Sequence, residues 1–330
     1  MRAVVCDIGG TNTRLGVFQD DTLLDDSLAS FRNTDFADFS SLLSSYLRQN
    51  GHGGIDAACI ALAAPIGPDG ATLTNHDWTI SRSEVSKITG AGAIHFLNDF
   101  EALGFALLRA DTLETTVLRE RKQAPGQNSR RMVLGAGTGF NAAALLIDPM
   151  TGNPVVAAAE CGHMTLSVEG PDEFELQQYL SKGRGRASIE RALSGRGLTE
   201  LYAWNCERQG LEPALGGSSA IARQALAGQD GAARQAAIQF ARFLGRVTGD
   251  LALAFLPLGG IYLTGGVSRA LLPILEQDPS FMAAFHAKGR MSEFMEQFPI
   301  AMLTDDRVAL AGCAAFLSAA PSSHVAQRKT

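Results

Sequence analysis

The sequence predicts an α/β protein built from two like domains, and three glycine-rich stretches carry that prediction. The first is DIGGTNTRLG at residues 7–16, directly after the apolar run Ala3-Val4-Val5-Cys6. After Thr11 the chain continues Thr13-Arg14-Leu15-Gly16-Val17-Phe18, with Leu15 and Val17 on one face and Arg14, Gly16 and Phe18 on the other. That alternation is a strand's, whereas a dinucleotide fingerprint needs a helix after its glycines. Asp20-Asp21 reads as a turn, and Thr22-Leu23-Leu24 as the start of a third strand. The second stretch, MVLGAGTGFNAAALLI at 132–147, repeats the plan: an apolar strand enters Gly135-Ala136-Gly137-Thr138-Gly139 and a small-apolar strand leaves it. In the third, the strand Ile261 to Leu263 ends on Gly265-Gly266, and Ala270 to Glu276 reads as a helix with an early proline.

Any one of these loops is explained as well by a tight hairpin as by a ligand. All three in this order fit a nucleotide whose phosphates are cradled by backbone N–H groups. The chain contains no G-x-x-x-x-G-K-[ST], so a Walker-type loop is excluded. Two copies of one hairpin about half a chain apart predict two like domains facing each other.

Composition narrows the function classes. The 330 residues suffice for two domains with their own cores, and 46% hydrophobic with 19% charged residues is an ordinary globular balance. A net charge of −6 and the lack of a Lys/Arg block argue against nucleic acid as a partner. The nearest basic stretch, Arg119-Glu120-Arg121-Lys122, leads into a solvated loop. Five scattered cysteines with no CxxC pair fit reduced thiols and a cytoplasmic protein. No secretory signal and no membrane span are expected, and the tail from Ala320 reads as frayed.

Several polar residues fall where open sheets bind ligands. Ile94 to Leu97 reads as a strand and Phe100 to Arg109 as an amphipathic helix. Asn98 and Asp99 therefore lie at the carboxyl end of a strand, although both are equally good helix N-caps. The apolar strand Val155 to Ala159 is broken by Glu160-Cys161-Gly162-His163. Glu160 reads equally as a surface turn residue and His163 as a structural histidine. Glu190, in Ser188-Ile189-Glu190-Arg191, suits helix capping or pairing with Arg191 as well as ligand binding.

These loops resemble the phosphate-1, phosphate-2 and adenosine motifs of the sugar kinase, heat-shock-protein and actin superfamily. Within it the chain resembles the bacterial glucokinases of the hexokinase-like type. The resemblance rests on DIGGTNTRLG, LTNHDW (73–78), FLNDFEALG (96–104), GAGTGF (135–140), ECGH (160–163), SIERALSGRGL (188–198), TGGV (264–267) and KGR (288–290), in the family's order over nearly the whole chain. It implies two ribonuclease-H-like (actin-like ATPase) domains with a cleft between them that closes on sugar. The small domain would be residues 1–108 plus 301–330, and the large one 109–300. The small-residue helix Val308 to Leu317 would pack back on the first domain.

The same resemblance implies ATP-dependent phosphorylation of glucose to glucose 6-phosphate, feeding glycolysis. Asp99 would be the general base, with Asn98, Asp99, Glu160, His163 and Glu190 holding the sugar. Gly9, Gly10, Thr11 and Asn12 would wrap the β- and γ-phosphates with Gly137, Thr138 and Gly139, and Gly265 and Gly266 would take the adenosine. Asp7 would orient Mg2+ through water. Arg14 would either stabilise the transferred charge or be a plain strand-face residue, and Asn75 and His76 would order the loop before Trp78. A homodimer is implied, and no structural zinc. Relatives usually carry glycine where this chain has Cys161, which either presses on the sugar subsite or fills the core. The alternative is a kinase for mannose, fructose or an amino sugar. A sugar-responsive repressor would need a DNA-binding segment ahead of the first loop, and an actin-like filament ATPase would lack the Asn98-Asp99 and Glu160/His163 set.

Overall fold

The computed structural model describes residues 1–50, 53–73, 78–122, 124, 126 and 129–319. Asn75, His76 and the tail from Ala320 lie outside the described residues. The chain divides into two compact units: Met1–Leu113 with Asp148–Ala158 and Asp305–Thr330, and Glu114–Ile147 with Ala159–Thr304.

The first unit is a twisted sheet between helices. Its elements are β1 (Arg2–Ile8), β2 (Asn12–Gln19), β3 (Thr22–Leu23), β4 (Ala29–Arg32), α1 (Phe39–Asn50), β5 (Ala57–Leu62), β6 (Gly70–Thr72), β7 (Thr79–Ser81), α2 (Arg82–Thr89), β8 (Ala93–Asn98) and α3 (Asp99–Ala106). The sheet order is β3-β2-β1-β5-β8, with β4 also paired to β2. β1 and β2 form an antiparallel hairpin, in which Asp7 lies opposite Arg14, and β5 and β8 continue the sheet in parallel. Side chains alternate across β1 as a strand requires. Val4, Cys6 and Ile8 join the core that includes Leu42 and Tyr46 of α1, while Ala3 and Val5 join one that includes Ala102 and Phe105 of α3.

The second unit repeats the hairpin. Strand β9 (Thr115–Arg119) precedes β10 (Arg131–Ala136) and β11 (Phe140–Ile147); β12 (Pro154–Ala158) then belongs to the first unit, where it packs on α3. There follow α4 (Gly170–Ser181), α5 (Gly195–Arg208), α6 (Ser218–Ala227), α7 (Gly231–Phe255), β13 (Gly260–Thr264), α8 (Gly266–Ala270), α9 (Leu272–Gln277), α10 (Ser280–His286) and β14 (Ile300–Leu303). β10 pairs antiparallel with β11 and parallel with β13, and β14 lies between β13 and β9. The 25-residue α7 is centred in this core, burying Ala232, Ala233, Ala236, Ala237, Phe240 and Leu244. Its small residues let α5, α6 and α10 approach closely. The last helix, α11 (Val308–Ala319), returns to the first unit and packs on α3, β1 and β5. Among the described residues no helix is long and apolar enough to cross a membrane.

Two helices differ from the sequence expectation. Expected to reach Arg109, the helix after Asp99 is α-helical only to Ala106 and continues as a 3-10 turn over Leu107–Thr112, where Arg109 leaves helical geometry. The expected helix Ala270 to Glu276 is α9, which begins two residues later with Pro273 in its first turn as expected, and a short α8 that the sequence reading does not include ends just before it. Pro273 separates the two: it has no N–H for the carbonyl of Arg269, so it can only sit in the first turn of a new helix.

Candidate active site

In the first unit the tip of the β1–β2 hairpin is fixed by one residue from outside it. Buried Asn33 accepts from Thr13 Oγ1 at 2.9 Å, donates from Nδ2 to the Gly9 carbonyl at 2.9 Å, and donates its backbone N–H to the Thr11 carbonyl at 2.9 Å. Gly9 N–H closes the turn onto the Asn12 carbonyl at 3.0 Å. Gly10 and Thr11 are left exposed at the tip. Asn33 went unnoticed in the sequence because nothing in Phe31-Arg32-Asn33-Thr34 marks it; its role comes from the pairing of β4 with β2.

Beside this tip lies an acidic group. Asp7, whose side chain is 13% exposed, accepts from Arg14 Nη1 at 3.3 Å, and Arg14 Nη2 also lies 3.6 Å from Asp306. Burial raises the Asp7 carboxyl to about 6 against the lowering effect of Arg14, and the charges of Asp99 and Asp306 raise it further. Asp7, Asp99 and Asp306 thus share one electrostatic neighbourhood with Arg14 as counter-charge. Arg14 faces both Asp7 and Asp306, and the sequence reading does not include Asp306.

The N-cap question at 98–99 resolves by division of labour. Asn98 ends β8 and caps α3: its Oδ1 accepts from Phe100 N–H at 3.0 Å, and Glu101 reaches back to the Asn98 N–H at 3.3 Å. That capping box satisfies the helix end. Asp99, the first residue of α3, also accepts from Phe100 N–H, at 2.9 Å, but the cap does not depend on it.

The second unit gathers the other predicted residues. Gly137 N–H donates to the Gly139 carbonyl at 2.8 Å, and Gly195 N–H donates to the Gly137 carbonyl at 2.8 Å, which ties the start of α5 to the loop. Glu190 accepts from Phe140 N–H at 3.3 Å. It approaches so closely that a Cβ on Gly139 would lie 2.6 Å from its Oε2, so a larger residue there would displace the Glu190 carboxylate. Arg191 pairs with Glu200 at 3.6 Å, and Glu190 instead meets the start of β11. Gly265, at φ +96°, lies so near β10 that a Cβ would meet the Ala136 carbonyl at 2.3 Å.

Glu160 and His163 are exposed at either end of a 3-10 turn closed by His163 N–H to the Glu160 carbonyl at 3.1 Å. Cys161 points the other way. It is 3% exposed within the core of the unit, where Asn141 Oδ1 accepts from its N–H at 3.2 Å and its Sγ at 3.5 Å. Of the two readings of Cys161, the core-filling one holds. Burial raises its thiol to about 11, so it stays protonated.

A cavity of about 670 Å³ opens within the second unit. Its walls include Gly137 and Thr138 of the loop, Arg196 of α5, Ser218 of α6, and Gly266 and Val267 of α8. Glycine turns, hydroxyls and a small apolar wall (Ala222, Val267, Ala270) suit a nucleoside phosphate.

Comparison with known proteins assigns a family. Residues 4–320 match the family model described as Glucokinase. The chain is 34% identical over 316 residues to the glucokinase of Sinorhizobium fredii, covering 96% of this chain and 92% of that one. It superposes with a TM-score of 0.84 and 29% identity on the crystal structure of glucokinase from an Antarctic psychrotroph, over 97% of this chain and 99% of that one. On glucokinase from Balamuthia mandrillaris in complex with glucose, the TM-score is 0.79 at 25% identity, over 96% and 93% of the two chains.

Proposed function

This chain belongs to the glucokinase family, and from that premise we propose that it transfers the γ-phosphoryl group of ATP to the 6-hydroxyl of D-glucose with Asp99 as general base. It is an ATP-dependent hexose kinase with the actin-like two-domain ATPase fold. The observation that supports Asp99 is its place at the carboxyl end of β8, next to a helix cap that Asn98 and Glu101 complete without it. A carboxylate so placed accepts the proton of the attacking hydroxyl as that oxygen bonds to the γ-phosphorus and the β–γ bridging bond breaks, giving glucose 6-phosphate and ADP. Asn98, Glu160, His163 and Glu190 are the proposed partners of the other sugar hydroxyls. Gly9, Gly10, Thr11 and Asn12, with Gly137, Thr138 and Gly139, are the proposed phosphate cradle, and Gly265 and Gly266 the close approach for adenosine.

The residues around Asp7 fit a hydrated divalent cation. A nearly buried carboxylate, two further carboxylates whose charges reach it and one arginine make a hard-oxygen, net-negative environment. Mg2+ held there with the nucleotide would neutralise phosphate charge. Asp7 would orient it, and Arg14 would keep that carboxylate in place. A homodimer acting in the cytoplasm completes the proposal on family grounds.

The test is ADP release with a panel of glucose, mannose, fructose and glucosamine, for the parent chain and for Asp99→Asn. Glucose-dependent turnover that falls about a thousand-fold in the variant, with glucose still bound, is the expected result. Near-parental turnover in Asp99→Asn would remove Asp99 from the base role; preference for another sugar would replace glucose.

A further inference from the structure

Three arginines crowd one carboxylate at the edge of the nucleotide cavity. Glu200 of α5 is met by Arg196 Nε at 3.2 Å, Arg184 Nη2 at 3.5 Å and Arg191 Nη1 at 3.6 Å. Three guanidiniums face Glu200, and the charge of Glu190 also reaches Arg191; three cations against two carboxylates leave one positive charge over, in a chain whose net charge is −6. The crowding is felt within the cluster: burial and then the charges of Arg184 and Arg196 lower the pKa of Arg191.

Arg196 is the member of the cluster that lines the cavity. Its side chain is 65% exposed and its Nε is engaged by Glu200. Its two terminal nitrogens make no hydrogen bond among the described residues. A guanidinium anchored through Nε presents those nitrogens as a planar fork, the geometry that matches two oxygens of one phosphate. The excess charge also selects what arrives: a neutral purine would leave it uncompensated, whereas a phosphate would neutralise it.

We propose that Arg196 is a nucleotide-binding residue that holds a phosphate of the nucleotide in this cavity, with Arg184 and Arg191 fixing Glu200 so that Arg196 stays aimed. The inference rests on the reading that the cavity takes ATP. Arg196 is absent from the phosphate-loop motifs and becomes visible only because α5 starts against the Gly137 turn.

The test measures the KM for ATP and the inhibition constants of ADP and adenosine in Arg196→Ala, Arg196→Lys, the neighbouring surface control Arg186→Ala, and Ser219→Trp, which fills the cavity from an exposed position on its wall. Arg196→Ala is expected to raise the ATP KM and the ADP constant about ten-fold, the loss of roughly one charge-assisted contact. The glucose KM and the adenosine constant should not change, Arg196→Lys should recover part of the loss, and Arg186→Ala should behave as the parent. Equal weakening of adenosine and ADP, or an equal effect from Arg186→Ala, would overturn the phosphate contact. An unchanged ATP KM in Ser219→Trp would overturn the cavity reading itself. A raised KM in Ser219→Trp with a parental one in Arg196→Ala would overturn Arg196 alone.

Discussion

The two glycine hairpins share a backbone plan and differ in what they carry. In each, an antiparallel pair closes on a glycine loop and its first strand extends the sheet in parallel. The first loop has four residues, Gly9 to Asn12, between the paired Ile8 and Thr13; the second has three, Gly137 to Gly139, between Ala136 and Phe140. One step further back, the first hairpin sets Asp7 against Arg14, whereas the second sets Gly135 against Asn141. The charged pair gives the first hairpin an ion pair, the feature on which the proposed cation site rests. The neutral pair frees Asn141 to brace the turn that carries Glu160 and His163. Duplicated backbone therefore supplies two glycine loops of one plan, and the side chains at one register position set them apart.

The comparison can be broken most severely at Asn33. Asn33→Ala removes the side chain that bridges Thr13 and Gly9 and leaves both without that partner, at a cost of about 3 kcal/mol. A thermal or urea melt should show that loss together with a raised ATP KM; parental values in both would mean that the first loop holds itself as the second does.

A smaller effect of opposite sign is expected at Asp7. Its folded pKa of about 6 lies above the ordinary carboxyl value of 3.8, so the folded chain binds the proton more tightly than the unfolded one. Ionising Asp7 therefore lowers stability. The penalty is absent below 3.8, grows between 3.8 and about 6, and is complete above that. Asp7→Asn should stabilise the ligand-free protein by about 2 kcal/mol at pH 8 and by nothing near pH 3.5, while raising the Mg2+ concentration needed for turnover. A melting temperature at pH 8 equal to the parent's would show that Arg14 compensates the buried charge.

The least change is expected at Cys161. Cys161→Ala should cost about 1 kcal/mol in a melt, through lost core contacts, and leave the glucose KM unchanged. A shift in sugar preference would mean that the thiol acts on the subsite through the Glu160 turn.

Much of this was legible in the sequence. Strand alternation around Leu15 and Val17 announced a hairpin rather than a Rossmann turn, and the repeat at Gly135–Phe140 announced its twin, because period and turn chemistry are local. Helix ends were less legible. Pro273 marked a break whose position depends on the register of the helix before it, and the chain beyond Ala106 tightens into a 3-10 turn without a proline or glycine to announce it. The roles of Asn33, Asp306, Asn141 and Arg196 were hidden, since each acts on a residue far from it in the chain or through an assembled cavity.

By itself the sequence determined the two hairpins, the glycine loops at their tips and the polar pair Asn98-Asp99 at the end of a strand. These follow from side-chain period, glycine's freedom and capping preference, all of which act within a few residues. Tertiary structure alone decided that Asn98 and Glu101 complete the capping box beside Asp99, that Cys161 faces the core, that Glu190 meets the β11 strand, and that three arginines share one carboxylate. Burial and electrostatic neighbourhood are properties of what packs around a residue, and packing brings together positions that no local pattern relates.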